Sequence, residues 1–290
     1  VDSAKTLNIQ AGTRIHLHKN SLLYVYKGEL HINGDVNNKV IFEGDRLEPF
    51  YEDVKGQYYG IYFEKALPST INHTIIKNGT AGVHVFSEDE NNPDYTVLIT
   101  NTEIFNCSSY GIFNYSGGYI KGENLNVHNN NQYAYFSLEG ADHDFRHCQF
   151  LGYGTDGDQP AVAIKNYFTR TDGITYIGAI NEGNFYNSII DGSGSNQLIY
   201  DTITQNGAVD INYTYSNNLI KNDASQSGQP NFNNNLWNLN PNFENIQESI
   251  FKIKLNSSLI NAGDPSFATT NDIEENPRGP QPDIGAYEVN

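Results

Sequence analysis

The chain has no Met, a single Trp and two Cys in 290 residues, and its charged residues amount to only 18%. Strong helix formers are scarce, and no heptad or long amphipathic run is present, so a helical protein is excluded. No stretch approaches the ~18 consecutive apolar residues of a membrane span. The opening Val1, Asp2 and Ser3 lack the basic and apolar regions of a secretory leader, so an exported protein would already have lost its leader. Basic residues are few: 17 Lys and Arg face 34 Asp and Glu. The net charge of −17 sets up a field that repels polyanions and argues against nucleic-acid binding. What the chain has instead is 40 Asn, 26 Gly and 20 Tyr. With 12% aromatic residues it is too rich in burial-seeking side chains to be disordered. Short β-branched or aromatic runs punctuated by Asn and Gly read as all-β.

An internal repeat organises these runs. Residues 71–78, 99–106, 122–129, 145–152, 185–192 and 215–222 align without gaps on one eight-residue pattern. Its third column reads His73, Asn101, Asn124, His147, Asn187 and Asn217. The sixth reads Ile76, Ile104, Val127, Phe150, Ile190 and Ile220, and the eighth Asn78, Asn106, Asn129, Gly152, Gly192 and Asn222. Neighbouring third-column positions lie 28, 23, 23, 40 and 30 residues apart, a shared minimum near 23 enlarged by inserted loops. Units this short cannot bury their own apolar face, so they must stack at the ~4.8 Å strand spacing into a continuous core. Alternation puts columns one and three on one inward side, and the third column then forms an axial ladder of Asn and His. Eighth-column Asn and Gly suit αL corners. The 40-residue interval between His147 and Asn187 has room for an extra rung. Second short runs at 82–85, 111–113, 134–136 and 161–164 give each rung at least two strands, which describes a single-stranded right-handed parallel β-helix.

Two further segments carry a resemblance. Gly44, Asp45 and Arg46, then Tyr51 and residues 56–61, are similar to the opening rungs of surface-exported chains of this kind. The ending Asp283-Ile284-Gly285-Ala286-Tyr287-Glu288 has the D-x-G-A-x-E form. With the repeat over 60–222, these motifs resemble the secreted bacterial β-helix repeat proteins of the pectate-lyase-like superfamily. Glu275 stands where the closing element of that family has Gly. The resemblance implies an extracytoplasmic protein and a scaffold that hosts lyases, hydrolases, epimerases and non-catalytic surface proteins, without choosing among them. The expected organisation is a β-helix over 1–222, then a polar connection and C-terminal cap over 223–290. That cap is expected to bury Trp237, Phe243, Phe251 and Leu255 over the open end.

Stacking separates Cys107 from Cys148 by ~9.6 Å, beyond the ~7 Å limit for a bridge, so both are expected as free, inert thiols. His73 and His147 share a column with four Asn and read as structural imidazoles. His16 and His18 lack a third ligand, and no zinc site is expected. On one strand, Asp142 and Asp144 would lie ~6.8 Å apart, inside the ~6.5–9.5 Å window of an inverting glycosidase pair. The stacking register instead predicts cross-strand ion pairs, Lys121 with Asp144 and Glu123 with Arg146.

The loop 45–53, with Asp45, Arg46 and Tyr51 beside Tyr58 and Tyr59, has rings and carboxylates suited to a sugar, and Asp45 and Arg46 join Asp142 and Asp144 as catalytic candidates. Segments 87–94 and 152–158 offer oxygens for Ca²⁺, and no other cofactor is required. The excess in the 40-residue interval contains Tyr153, Asp156, Asp158, Tyr167, Phe168, Arg170, Asp172 and Tyr176, a second candidate binding set. The expected ligand is a polysaccharide or surface glycan, the alternatives being a protein-interaction module or a lyase or hydrolase. Few basic residues in an acidic field disfavour an efficient lyase unless calcium screens the groove.

Overall fold

The computed structural model describes residues 1–88, 94–157, 159–204, 207, 209–223 and 228–289. Three parallel sheets share one axis. The first has nine strands, from Thr6–Gln10 to Phe232–Asn233, and the second has nine, from Arg14–Leu17 to Leu236–Trp237. The third has seven, from Leu23–Tyr26 to Leu198–Asp201. A full turn passes from the third sheet to the first and then the second, so each strand pairs with its counterpart one turn away. This is a right-handed parallel β-helix. Inward positions of successive turns, among them Ile71, Ile99, Phe145 and Phe185, form one buried core.

The third column of the repeat is one continuous column, but it does not face the core. All six residues have φ between +43° and +55° and form one-residue αL corners between the first and second sheets. Ser69–Asn72 and Thr74–Lys77, for example, are separated by His73 alone. An αL residue turns the chain sharply, so columns one and three belong to different strands and share no inward side. Among residues with a side chain, Asn tolerates this conformation well, which is why four of the six are Asn. Their side chains form a ladder outside the core, from Asn101 Nδ2 to His73 Nε2 at 3.3 Å and from Asn124 Nδ2 to Asn101 Oδ1 at 2.9 Å. Asn187 Nδ2 continues it to His147 Nε2 at 3.0 Å. In the eighth column Asn78, Asn106 and Asn129 are αL, whereas Gly152 and Gly192 are not. Those glycines make room for Gln197, whose Oε1 would lie 2.2 and 2.3 Å from a Cβ at either position.

No extra rung hides in the long interval, because Phe145 pairs directly with Phe185. Cys107 and Cys148 are buried and free, and burial pushes the Cys107 thiol up to about 12. The predicted register also holds for Lys121 opposite Asp144 and Glu123 opposite Arg146. The ion pairs do not follow it. Arg146 turns to Asp144 of its own strand, Nε to Oδ1 at 2.9 Å and Nη2 to Oδ2 at 3.2 Å, a two-pronged contact. The Lys121 ammonium lies over the Tyr119 ring, 5.1 Å from its centroid.

Rungs continue beyond residue 222: Tyr215 pairs with Phe232 and Ile220 with Trp237. The remaining chain does not cover the open end as expected. Phe243, Phe251, Ile253, Leu259 and Ile284 pack sideways on Leu151, Ile189 and Leu219, the outward residues of the second sheet. Leu255, expected in the cap, is 81% exposed. The tail then retraces the ladder backwards: the Asn217 side chain donates to the Ala262 carbonyl, Asn187 to Asp264 and Asn124 to Asn271, and Glu275 Oε1 meets His73 Nε2 at 2.7 Å. Glu275 has φ +65°, the conformation for which a Gly is suited, and spends its side chain on that His73 contact. Arg278 and Glu288 form a buried ion pair at 3.1 Å, and Arg278 also donates to Asn124 Oδ1 and the Gly285 carbonyl.

Candidate functional site

The third sheet presents two outward columns. Register places Tyr24, Tyr62, His84, Phe113 and Phe136 side by side on five successive strands. Their ring centroids are 5.5, 4.3, 4.6 and 5.4 Å apart in that order. The ring column stops where Ala163 and then Ile199 follow. The second column runs Tyr26, Glu64, Phe86, Tyr115, Leu138, Lys165 and Asp201. Along the other margin Tyr59 packs against Tyr62, Tyr110 against Phe113 and Tyr133 against Phe136. Each turn repeats because alternation sends every second residue outward, and an aromatic pair in register stabilises adjacent strands.

The rings turn their faces to one another, which leaves ring rims, hydroxyls and carboxylates at the surface. Tyr24 Oη donates to Glu64 Oε2 at 2.7 Å, which with burial pushes its phenol up to about 12. Tyr59 Oη and His84 Nδ1 are hydrogen-bonded at 2.7 Å, and burial holds the His84 imidazole down to about 4, so it is neutral. Tyr115 Oη donates to Glu139 at 2.9 Å.

A hairpin, Tyr167–Thr169 paired with Thr175–Ile177, flanks this sheet. Asn166 anchors its base: buried, it donates from Nδ2 to the Gly178 and Ile203 carbonyls, each at 3.0 Å. The return strand passes so close that a Cβ at Gly140 would lie 2.5 Å from Gly178 Cα. From the hairpin, Arg170 reaches Glu139 at 3.0 Å and stacks on Tyr176 at 3.6 Å. Tyr167 Oη donates to Asp201 at 2.9 Å, while Lys165 lies over the Tyr167 ring. Phe168 is 42% exposed, and Asp172 accepts from Ile174 N inside the turn.

The candidate set of the 40-residue interval is therefore divided. Tyr167, Arg170 and Tyr176 stand at the third sheet, whereas Tyr153 bonds Asp191 at 2.5 Å and stacks on Phe251 beneath the tail. Asp156 lies elsewhere, its N donating to the Asn131 carbonyl. Asp158 falls outside the described residues, as does part of each segment expected to offer Ca²⁺ oxygens. Among the described residues no group of three or more His, Cys, Asp or Glu is placed to hold a metal ion.

Tyr58 is not a surface ring: it is 1% exposed, with Oη on the Phe42 carbonyl at 3.3 Å. Tyr51 and Arg46 do line a cavity of about 350 Å³ with Glu43, Glu48 and Lys77, the Arg46 guanidinium 3.9 Å from the Tyr51 ring centroid. Asp45 is paired with His18 at 2.7 Å. Asp142 accepts from the N–H groups of Asn181 and Glu182, and Asp144 is held by Arg146, so both are engaged in structure. The ring column was missed in the sequence because its members lie 22 to 38 residues apart. The signal that would have found it is an aromatic or His two residues beyond the start of each run such as 111–113 and 134–136.

No family model matches the chain, and no curated protein does. Among solved structures, a pectate lyase, Pel9A, aligns with 100% of this chain and 89% of its own, at 13% identity and a TM-score of 0.38. That likeness is too distant to carry residue roles or an activity across. No helix among the described residues is long and apolar enough to cross a membrane.

Proposed function

We propose that this chain is an extracytoplasmic glycan-binding β-helix whose binding surface is the outer face of the third sheet, bordered by the hairpin at 167–177. The observation that carries the reading is the column Tyr24, Tyr62, His84, Phe113 and Phe136, which spans four steps of the axis, about 19 Å, and in which every ring but the buried His84 is partly open to solvent. A pyranose presents CH and OH groups at every residue, and this surface alternates ring carbon with hydroxyls and carboxylates at the same scale. Glu64, Arg170 and Asp201 supply the polar partners along one margin. The reading is recognition; no residue pair is assigned to bond cleavage.

Affinity gels loaded with neutral and acidic polysaccharides, with and without calcium, test it. At least one polysaccharide is expected to retard the protein. Phe113→Ala with Phe136→Ala should lower that affinity about tenfold for each ring removed while far-UV circular dichroism is unchanged. Tyr167→Ala with Tyr176→Ala should weaken it less, and an unchanged retardation would remove the hairpin from the site. Absence of retardation by any polysaccharide would overturn the reading in favour of a protein partner. New reducing ends or unsaturated uronides would add a reaction to it.

A further inference from the structure

Three segments remote in sequence meet at the corner between the second and third sheets. Lys55 comes from the loop after Val40–Gly44, Asn131 from the corner after Asn126–His128, and Asp156 from the loop after Gln149–Gly152. Lys55 Nζ donates to Asn131 Oδ1 at 2.5 Å, a short contact across 76 residues, and its second contact is the Gly154 carbonyl at 3.4 Å. Asn131 is itself fixed, its N donating to the Cys107 carbonyl at 3.0 Å and its own carbonyl accepting from Asp156 N at 2.6 Å. Asp156 follows Gly154 on the same loop, and its negative charge opposes the effect of burial on the Lys55 ammonium. Burial nevertheless holds the Lys55 ammonium below the usual lysine range, which enlarges the neutral, nucleophilic fraction.

We propose that Lys55 and Asn131 form an intramolecular isopeptide bond, with Asp156 relaying the protons. The Lys55 ammonium gives a proton to Asp156, and the free Nζ attacks Asn131 Cγ, one bond from the oxygen it already touches. The Cγ–Nζ bond forms and the Cγ–Nδ2 bond breaks. Asp156 returns its proton to Nδ2 and passes on the second proton that Nζ sheds as it becomes an amide, so the nitrogen leaves as ammonium. Atoms and charge balance without an oxidant or cofactor. The driving arrangement is proximity, since the fold holds amine and amide in contact before any reaction. The product ties the loop that carries Arg46 and Tyr51 to the middle of the solenoid and closes a long loop covalently. It would serve as the covalent staple of a fold whose two cysteines are free. This inference is independent of glycan binding.

Intact mass of the denatured full chain tests it. The expected result is a mass lower than the sequence by one ammonia, with a peptide map in which the Lys55 and Asn131 peptides are joined. Lys55→Arg and Asn131→Ala should each restore the full difference, and Asp156→Ala should slow bond formation about 10²-fold, the effect of losing a positioned acid–base group. Folded parent protein that keeps its full sequence mass through incubation at neutral and alkaline pH overturns the proposal. So does a missing ammonia that maps to an Asn–Gly step with no joined peptides. If a variant fails to fold, the mass and map of the parent still decide.

Discussion

On the second sheet, outward Leu151, Ile189 and Leu219 are fully buried because Phe243, Phe251 and Ile253 lie over them. On the third sheet, outward Tyr24 is 39% exposed, and Tyr62, Phe113 and Phe136 are half-buried. On the third sheet the aromatic residues keep one column turn after turn, whereas on the second sheet Ile189 and Leu219 share a column with Gln149 and Leu151 stands in the next beside Asp191. A solenoid builds such columns wherever one outward position keeps its residue type, and each is an interface waiting for a partner. The tail supplies that partner for the second sheet, which makes it core. For the third sheet a ligand is the proposed partner.

The largest expected effect separates the two faces. Phe251→Ala should destabilise the protein by about 3–5 kcal/mol in urea unfolding, the range for emptying a buried aromatic site. Phe113→Ala should cost about 1 kcal/mol, because its ring is already half in solvent, yet it should reduce polysaccharide retardation where Phe251→Ala in the folded state does not. Equal stability losses at the two positions would break the comparison.

An intermediate effect comes from pH. The His84 imidazole is held down to about 4 by burial in the ring column, against 6.5 for an unperturbed His. As pH falls, the unfolded chain binds this proton before the folded one, so the contribution is complete above pH 6.5, declines between 6.5 and 4, and is flat below. The total is on the order of 3 kcal/mol. His143, sealed in the core and held down to about 3 by burial, acts with the same sign and extends the decline further into acid. Unfolding midpoints measured across this range should slope less in His84→Phe, and an unchanged slope would show that the ring column does not exclude water. The smallest effect sharpens the account of the first sheet. Lys121→Ala should change stability by less than ~0.5 kcal/mol, because its ammonium rests on Tyr119 and forms no ion pair with Asp144. A loss above 1 kcal/mol would restore the cross-strand pair.

How far residues alone could go is clearest at the ladder. The register of His73, Asn101, Asn124, His147, Asn187 and Asn217 follows from an ungapped pattern, because stacked turns force like onto like. Their direction did not follow, since a single αL residue ends one strand and begins another, and period-two alternation is valid only within a strand. Tyr58 and Tyr62 show the same limit. Both are Tyr in one aromatic stretch, yet Tyr58 precedes the strand Ile61–Glu64 and points inward, while Tyr62 lies within it and points out.

The sequence by itself determined the parallel β-helix, the register of its repeat, the unbridged cysteines and the excess length that becomes the hairpin. These are local or strictly periodic properties, and each is written within one turn of the chain. Only the tertiary structure decided which outward column is covered, where Arg170 lands, and that Lys55, Asn131 and Asp156 converge. Those outcomes rest on contacts such as Gln149 to Phe251 and Asn124 to Asn271, 102 and 147 residues apart, between segments that share no repeat and no local pattern to announce them.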